Sequence, residues 1–432
     1  MRLLYTLVAL LLIMSCRQQQ SDSAAAEQVA VLSNGNARAE GLSPERLERI
    51  DNMLEAAIAE NQIPGAVALI ARNGKIVYHK TFGMSDAEND IPYKEDDIFR
   101  IASQTKAITS TAVMMLWEEG HFRLDDPISK YIPEFADAGV METFNESDST
   151  FTVTPLETPI TIRHLLSHTS GIGYGMIDGD PRFRKAFAKA GIIDAFTAEP
   201  VTLAENIPKL AGMPLHHEPG EAWTYSEGLD VLGRFIEIVS GMPFDEFLKT
   251  RIFDPLGMSD TWFYLPDALS ERLVPVQYQV EGEWKRFETP VFDIDYPING
   301  AKSYFAGGAG LSSTAKDYAT FLQMLLNQGE YNGTRILSRT TVATMMANQI
   351  GDLWGNGAKD FGLAFSRTTA KGVAQGGEGG WGTFEWGGYF NTQYFADPGE
   401  QLIGILMKQT QNAATDQTGW KFKQMVFASI DD

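Results

Sequence analysis

The sequence predicts an α+β fold: one antiparallel sheet flanked by helices, assembled from the two ends of the chain, with a mostly helical region inserted between them. Three observations predict it. Two strand-like runs, Ala66–Ala71 and Lys75–Lys80, flank Arg72-Asn73-Gly74 near the start. Helix-competent segments separated by Pro/Gly loops fill the chain from Ser103 to about Leu265. After about Pro290 glycine becomes frequent and strand-like runs return at Phe361–Ser366, Thr383–Phe395 and Leu402–Met407.

Each element has a local cause. Ser43 is placed to cap a helix with Pro44 at its first position, and Leu47, Ile50, Met53, Leu54, Ala57 and Ile58 recur at helical spacing. Ile63-Pro64-Gly65 stops that helix. Asn73-Gly74 is a strong two-residue hairpin signal, because both residues tolerate positive φ. Further helices are expected over Ser103–Glu119, Ile162–Leu166 and Glu227–Ser240, and a last amphipathic one over about Thr418–Ile430.

The N-terminus stands apart. Arg2 precedes an apolar run of 12 residues, Leu3 to Met14, short of the roughly 20 that a membrane-spanning helix needs. It reads as a signal peptide over residues 1–15. The run ends at Cys16, the only cysteine, and resembles a bacterial lipoprotein signal, which implies lipid on Cys16 and a location facing the periplasm or the cell exterior. With one cysteine no internal disulfide is possible, so packing must hold the fold. Residues 16–40, rich in Ala, Ser and Gln and without apolar periodicity, read as a flexible tether. The globular body is then residues 41–432, with an α/β part over about 41–100 plus 290–432 and a helical part over about 101–289. Across 432 residues, 44% hydrophobic and 21% charged, the net charge is −21. Such a surface repels nucleic acid and anionic lipid, leaving the N-terminal anchor as the membrane contact.

The candidate chemistry begins at Ser103-Gln104-Thr105-Lys106. A serine hydroxyl needs a nearby base to become a nucleophile, and an uncharged lysine can serve. Three residues apart on a helix, the two side chains share one face. Gln104–Trp117 is almost uncharged after Lys106, so this helix is expected to be buried, where an amine loses solvation of its charged form. The pattern alone does not decide, because Ser-x-x-Lys also occurs at Ser313–Lys316. There Ser312-Ser313-Thr314 precede a surface-type amphipathic helix, and the expected role is capping.

Ser103 is distinguished by its company. Tyr225-Ser226-Glu227 precedes an apolar helix, and Trp386-Gly387-Gly388-Tyr389 lies on a late, glycine-relieved strand. Ser-x-x-Lys, then Tyr-Ser-x, then Trp-x-Gly resembles the class C β-lactamase superfamily, including its DD-peptidases and family VIII carboxylesterases. His164–Gly171, Gly307–Thr314 and Phe395–Pro398 resemble it too, and the similarity runs from about Leu42 to Ile430. The resemblance implies a β-lactamase-like fold, Ser103 as acylated nucleophile, Lys106 as its base and Tyr225 as proton shuttle to the leaving group. It implies an oxyanion hole from the amides of Ser103 and Tyr389, and Gly387 and Gly388 open a strand to close substrate approach.

Two departures matter. Trp386 stands where β-lactamases carry a cation for the drug's carboxylate, and an indole cannot make that charge-assisted bond. Glu227 stands where an amide is usual. A carboxylate there either opposes an uncharged lysine or, if it points away, does nothing. No Gly-x-Ser-x-Gly elbow and no His-Glu-x-x-His occur, the Gly376–Gly382 stretch lacks a phosphate-loop lysine and reads as a flexible rim, and His168 is assigned to local backbone groups. The expectation is therefore a serine hydrolase that needs no metal or cofactor, forms an acyl-enzyme on a small carboxylic ester and releases it with water. A β-lactamase or D-amino-acid peptidase acting on lactams or peptides is the alternative within the class. A catalytically weak lipoprotein that binds peptidoglycan fragments or acts as a surface scaffold is the alternative outside it.

Overall fold

The structure, a computed structural model, describes residues 29–354, 356–376 and 379–432. The signal segment, Cys16 and part of the glycine-rich rim lie outside the described residues. Helix α1 is Pro44–Ala59, and the Ser43 hydroxyl accepts the Arg46 amide as its cap. Strands β1 (Gly65–Arg72) and β2 (Lys75–Asp86) form the expected hairpin, with φ of 54° at Asn73 and 75° at Gly74. Helices α2 (Thr105–Glu118), α3 (Gly228–Ser240) and α4 (Ala315–Leu326) belong to the middle of the chain. Strands β3 (Lys359–Phe361), β4 (Ser366–Thr368), β5 (Phe384–Gly387), β6 (Gln393–Asp397) and β7 (Leu402–Met407) follow, then helix α5 (Thr418–Ala428).

The sheet runs β2-β1-β7-β6-β5-β4-β3, all antiparallel, so N-terminal and C-terminal strands meet where β1 pairs with β7. Strand β1 is buried on both faces. Ala66, Ala68 and Ile70 pack with α1 and α5, while Val67, Leu69 and Ala71 face the larger core shared with the helical region. That two-sided burial explains why its sequence is a continuous apolar run rather than an alternation.

The structure differs from expectation in four places. The tether expected over residues 16–40 is ordered at its end. Ser33–Asn34 pairs in parallel with β2, and Ala37–Glu40 forms a 3-10 turn. The cause is a few apolar anchors in a polar stretch: Leu32 packs on the main core and Ala37 on the α1 side. Helix α4 is not surface-type, since every residue except Lys316 is buried, and its polar cap is Thr314, which accepts the Asp317 amide, not Ser313. Ser313 is buried in a hydroxyl pair with Thr261 Oγ1 at 2.7 Å. The Phe361–Ser366 run is a turn between β3 and β4, closed by Gly362 N–H on Phe365 C=O, with Ala364 at φ 69°. The Thr383–Phe395 run is two strands joined at Gly388–Thr392.

Helix α2 lies at the centre. Thr105 to Leu116 are all buried, and its hydroxyls bond carbonyls of surrounding loops: Thr109 to Gly307 at 2.7 Å and Ser110 to Leu363 at 2.9 Å. The helix is therefore anchored both by packing and by satisfied polar groups.

Candidate active site

The approach to α2 is abrupt. Ala102 has φ of 43°, a left-handed conformation that alanine rarely adopts, and Ala102–Gln104 forms a 3-10 turn before α2 begins at Thr105. Ser103 makes no capping hydrogen bond there. Its hydroxyl is engaged elsewhere, accepting from Tyr225 Oη at 2.7 Å and from Lys106 Nζ at 3.3 Å. Such strain, of order 1–3 kcal/mol, persists only where the surroundings enforce it. Here Ala102 is buried among Phe196, Tyr296 and Phe390.

The Lys106 side chain is 1% exposed. Its Nζ reaches Ser103 Oγ at 3.3 Å, Tyr174 Oη at 2.9 Å and the Gly308 carbonyl at 2.7 Å. Nζ donates to all three oxygens here. To take up the serine proton the amine must first be uncharged, keeping two donors for Gly308 and Tyr174 and turning a lone pair to Ser103 Oγ. Tyr174 and Tyr225 stack at 5.3 Å between ring centroids and flank the amine. Burial and the neighbouring Tyr225 and Asp230 push the Tyr174 phenol well up, so it stays a neutral hydroxyl.

Tyr225 is held by its neighbours. The buried ring of His168 packs against it at 4.7 Å, and His168 Nδ1 pairs with Ser226 Oγ at 3.0 Å and accepts the Ser226 amide at 3.3 Å. His168 thus serves the Tyr225 segment rather than the local backbone groups expected for it. Burial, reinforced by Lys106, drives its basicity well below the ordinary histidine value. On the other side Trp386 Nε1 donates to Tyr225 Oη at 3.4 Å.

Trp386 belongs to an aromatic wall. It meets Phe361 at 5.4 Å and Trp354 at 6.2 Å, and Trp354 stacks on Trp223 at 4.9 Å. The β4 ladder stops at Glu385, so Trp386 and Gly387 pair only with β6. At Gly388 the reason for glycine is internal. A Cβ there would lie 2.4 Å from the Ile101 carbonyl oxygen and 2.3 Å from Thr392 Oγ1. Its smallness seats the Tyr389 turn against the turn carrying Ser103, whereas the expectation gave that smallness to substrate. Gly387 is less crowded, its would-be Cβ meeting Thr392 O at 3.3 Å. Two clefts lie nearby, one of about 370 Å³ between Glu385, Trp386 and Gly387 and the α5 residues Trp420 and Lys423, the other of about 380 Å³ beside Asp194, Phe196 and Phe292. Neither is lined by Ser103, Lys106 or Tyr225.

Ser103, Lys106, Tyr225, Trp386 and the Gly387–Tyr389 segment, read separately from the sequence, therefore converge. Residues the sequence reading missed are Tyr174, Asp194, Asp230, Trp223 and Trp354. Only Tyr174 carried a signal, standing between Gly173 and Gly175 just past the His164–Gly171 stretch. A Cβ at Gly173 would lie 2.4 Å from Asp178 Oδ2. Glu227 does not point away: it is 1% exposed, with Oε1 accepting the Gly175 amide at 3.3 Å. Asp230, equally buried behind Lys106, is pushed up to about 6 by burial, with Lys106 opposing the shift. His216 and His217 bond Asp178 and Thr224, each at 2.9 Å, as separate loop contacts.

A sheet flanked by helices, with a buried Ser-x-x-Lys helix facing one of its antiparallel strands, defines a class, the penicillin-recognising serine proteins and their relatives. The chain belongs to the β-lactamase family, whose profile matches residues 50–424. It is 32% identical over 379 residues to esterase EstB of Burkholderia gladioli, covering 84% of this chain and 90% of that protein. It is 30% identical to the lovastatin esterase of Penicillium rubens, covering 82% and 91%. Among solved structures, EstCE1, described as a hydrolase with promiscuous acyltransferase activity, superimposes with a TM-score of 0.77 at 26% identity, covering 91% of this chain and all of that one.

Proposed function

We propose that the protein is a serine hydrolase that cleaves small, uncharged carboxylic esters through an acyl-enzyme on Ser103. One observation carries the reading: the Tyr225 hydroxyl, Ser103 Oγ and Lys106 Nζ form one hydrogen-bonded chain, at 2.7 and 3.3 Å, beside the open end of β5.

Ser103 Oγ attacks the ester carbonyl as its proton passes to the Lys106 lone pair. The amides of Ser103 and Tyr389 donate to the oxyanion, each worth about 3 kcal/mol in systems of this kind. Tyr225 protonates the departing alkoxide and recovers its proton from the Lys106 ammonium, so the alcohol leaves carrying the proton the serine lost. Water then attacks the acyl carbonyl, giving its proton back through the same groups as the acid departs and Ser103 is restored.

Ester preference follows from Trp386. Its indole N–H is directed at Tyr225, and the aromatic wall beside it offers surface without charge, which suits a neutral alcohol group and leaves a lactam carboxylate without a charge-assisted partner. The esterase names of the relatives agree with this preference. Steady-state rates on p-nitrophenyl butyrate and a chromogenic cephalosporin test it. The ester should have the larger kcat/KM, and a cephalosporin advantage above about tenfold, 1.4 kcal/mol in barrier, rejects the Trp386 argument.

We also propose export and lipidation at Cys16, supported by the apolar run Leu3–Met14 that precedes it. Radiolabelled palmitate should enter the full chain and not a Cys16→Ser variant.

A further inference from the structure

Behind the Lys106 amine lie three carboxyl side chains that the proposed reaction leaves unused: Asp194, Glu227 and Asp230. They do not converge on a cation position; no group of three or more His, Cys, Asp or Glu fit to hold a metal occurs among the described residues. Instead two of them meet. Glu227 Oε1 accepts the Gly175 amide, while Oε2 is buried without a donor from any other group. Its neighbour is the Asp194 carboxyl, in side-chain hydrogen-bond contact with it. Asp194 Oδ2 already accepts the Met176 amide. Two ionised carboxylates repel at such a contact, and burial of Glu227, 1% exposed, leaves that repulsion poorly screened. One proton between them converts the repulsion into a short, charge-assisted hydrogen bond. Each carboxyl accepts one backbone amide, but Glu227 is the more deeply buried and has the Asp230 carboxyl beside it. Lys106 favours the charge on Asp194, so the proton belongs on Glu227.

We propose that Glu227 is a positioning residue that works as a neutral carboxylic acid, donating to the Asp194 carboxylate and fastening the Tyr174 loop against Lys106. The inference rests on the Ser103–Lys106 reading. The linkage is short. Gly175 and Met176 donate to the two members of the pair, Glu227 N–H donates to the Gly173 carbonyl at 3.3 Å, and between them Tyr174 presents its hydroxyl to Lys106 Nζ at 2.9 Å. A protonated glutamic acid thus supplies the donor that an amide supplies elsewhere, which answers the question its place in Tyr-Ser-Glu raised.

The groups facing the pair are Asp230 from α3, Lys106 from α2, Tyr174 from the loop, Tyr304 from the 301–306 segment, and Tyr225 beyond Tyr174; Asp178 and Tyr389 lie further out, toward Asp194. Burial, with Asp194 and Asp230, holds the Glu227 carboxyl well above the usual range. Ionising it would break the contact, release the Tyr174 loop and favour the ammonium form of Lys106. All three oppose activation of Ser103.

Infrared difference spectra and pH–rate profiles of the full chain test this with Glu227→Gln and Glu227→Ala. At neutral pH the wild type should show a deuterium-sensitive C=O stretch of a protonated carboxyl that Glu227→Gln lacks. On p-nitrophenyl butyrate, Glu227→Gln should keep kcat within about threefold and move the alkaline fall in kcat upward by at least about one pH unit. Glu227→Ala should lower kcat at least about tenfold with KM within about threefold. A band that survives Glu227→Gln, or a Gln variant whose pH profile overlays the wild type, overturns the proposal. The band needs no turnover, so its absence refutes the carboxyl pair even where esters are cleaved, whereas failure of the wild type to react with a fluorophosphonate refutes the hydrolase reading and leaves the band standing.

Discussion

Replacing Tyr225 with phenylalanine removes one oxygen and little else. The ring keeps its stacking on Tyr174 at 5.3 Å and its contacts with His168 at 4.7 Å and Trp386 at 5.7 Å. The oxygen donates to Ser103 Oγ at 2.7 Å and accepts from Trp386 Nε1 at 3.4 Å. Losing these hydrogen bonds should lower stability by about 1 kcal/mol. Losing a positioned proton donor should lower kcat by about 10²–10⁴-fold, about 2.7–5.4 kcal/mol at 1.36 kcal/mol per decade. The two effects are therefore separable. The role assigned to the phenol is protonation of the departing alkoxide, and the need for it grows with the basicity of that group. Ethyl butyrate, whose alkoxide is strongly basic, should lose at least about tenfold more in kcat than p-nitrophenyl butyrate, whose phenolate leaves unaided. Steady-state kinetics on both esters, with a thermal melt to check the fold, measure this. Equal losses on the two esters would refute the shuttle role, and a kcat within about threefold of wild type on both would remove Tyr225 from the chemistry.

Other outcomes follow from the same geometry. Lys106→Ala should lower kcat by at least about a hundredfold with far-ultraviolet circular dichroism unchanged, and an unaltered kcat would eliminate the amine as the base. Trp386→Lys places a cation beside Tyr225 and should shift the cephalosporin-to-ester ratio of kcat/KM toward the lactam by about tenfold or more, while an unmoved ratio shows that this position does not set the preference. Asp317, buried at the start of α4 against the Asp260 amide at 2.8 Å, is pushed up to about 6 by burial. The native chain keeps that proton where the unfolded chain has released it, so the contribution of Asp317 to stability falls as pH rises from about 4 to 6. Asp317→Asn cannot titrate, and its stability relative to wild type should therefore rise across that window by up to about 3 kcal/mol in urea melts, where a flat difference would contradict the assignment.

Much of the fold was legible because local and global signals agree. Ser43-Pro44 and Asn73-Gly74 fix chain direction by themselves, and α1 and β1–β2 follow. Helix α2 was legible because an uncharged run of that length has nowhere to go but inside. Apolar runs that end in tight turns were less legible. Phe361–Ser366 and Thr383–Phe395 carry strand composition throughout, but Ala364 at φ 69° and Asn391 at φ 70° reverse the chain within them. Burial hides such turns, because periodicity cannot tell a buried strand from buried irregular backbone. The same limit applies to α4, whose Lys316 and Asp317 suggested solvent although Tyr318, Phe321, Leu322 and Leu325 are all buried. At the site, Ser103, Lys106, Tyr225 and Trp386 stood in recognisable motifs. Tyr174 and Asp194 did not, since they lie in irregular loops and reach Lys106 and Glu227 only through tertiary contacts.

The account turns on whether the Ser103 hydroxyl is activated. Intact-protein mass spectrometry after exposure to a fluorophosphonate, with the adduct mapped by peptide sequencing, measures that directly. One adduct on Ser103 in the wild type and none in Ser103→Ala is the predicted result. An unmodified wild type, or an adduct on another residue, would contradict the account.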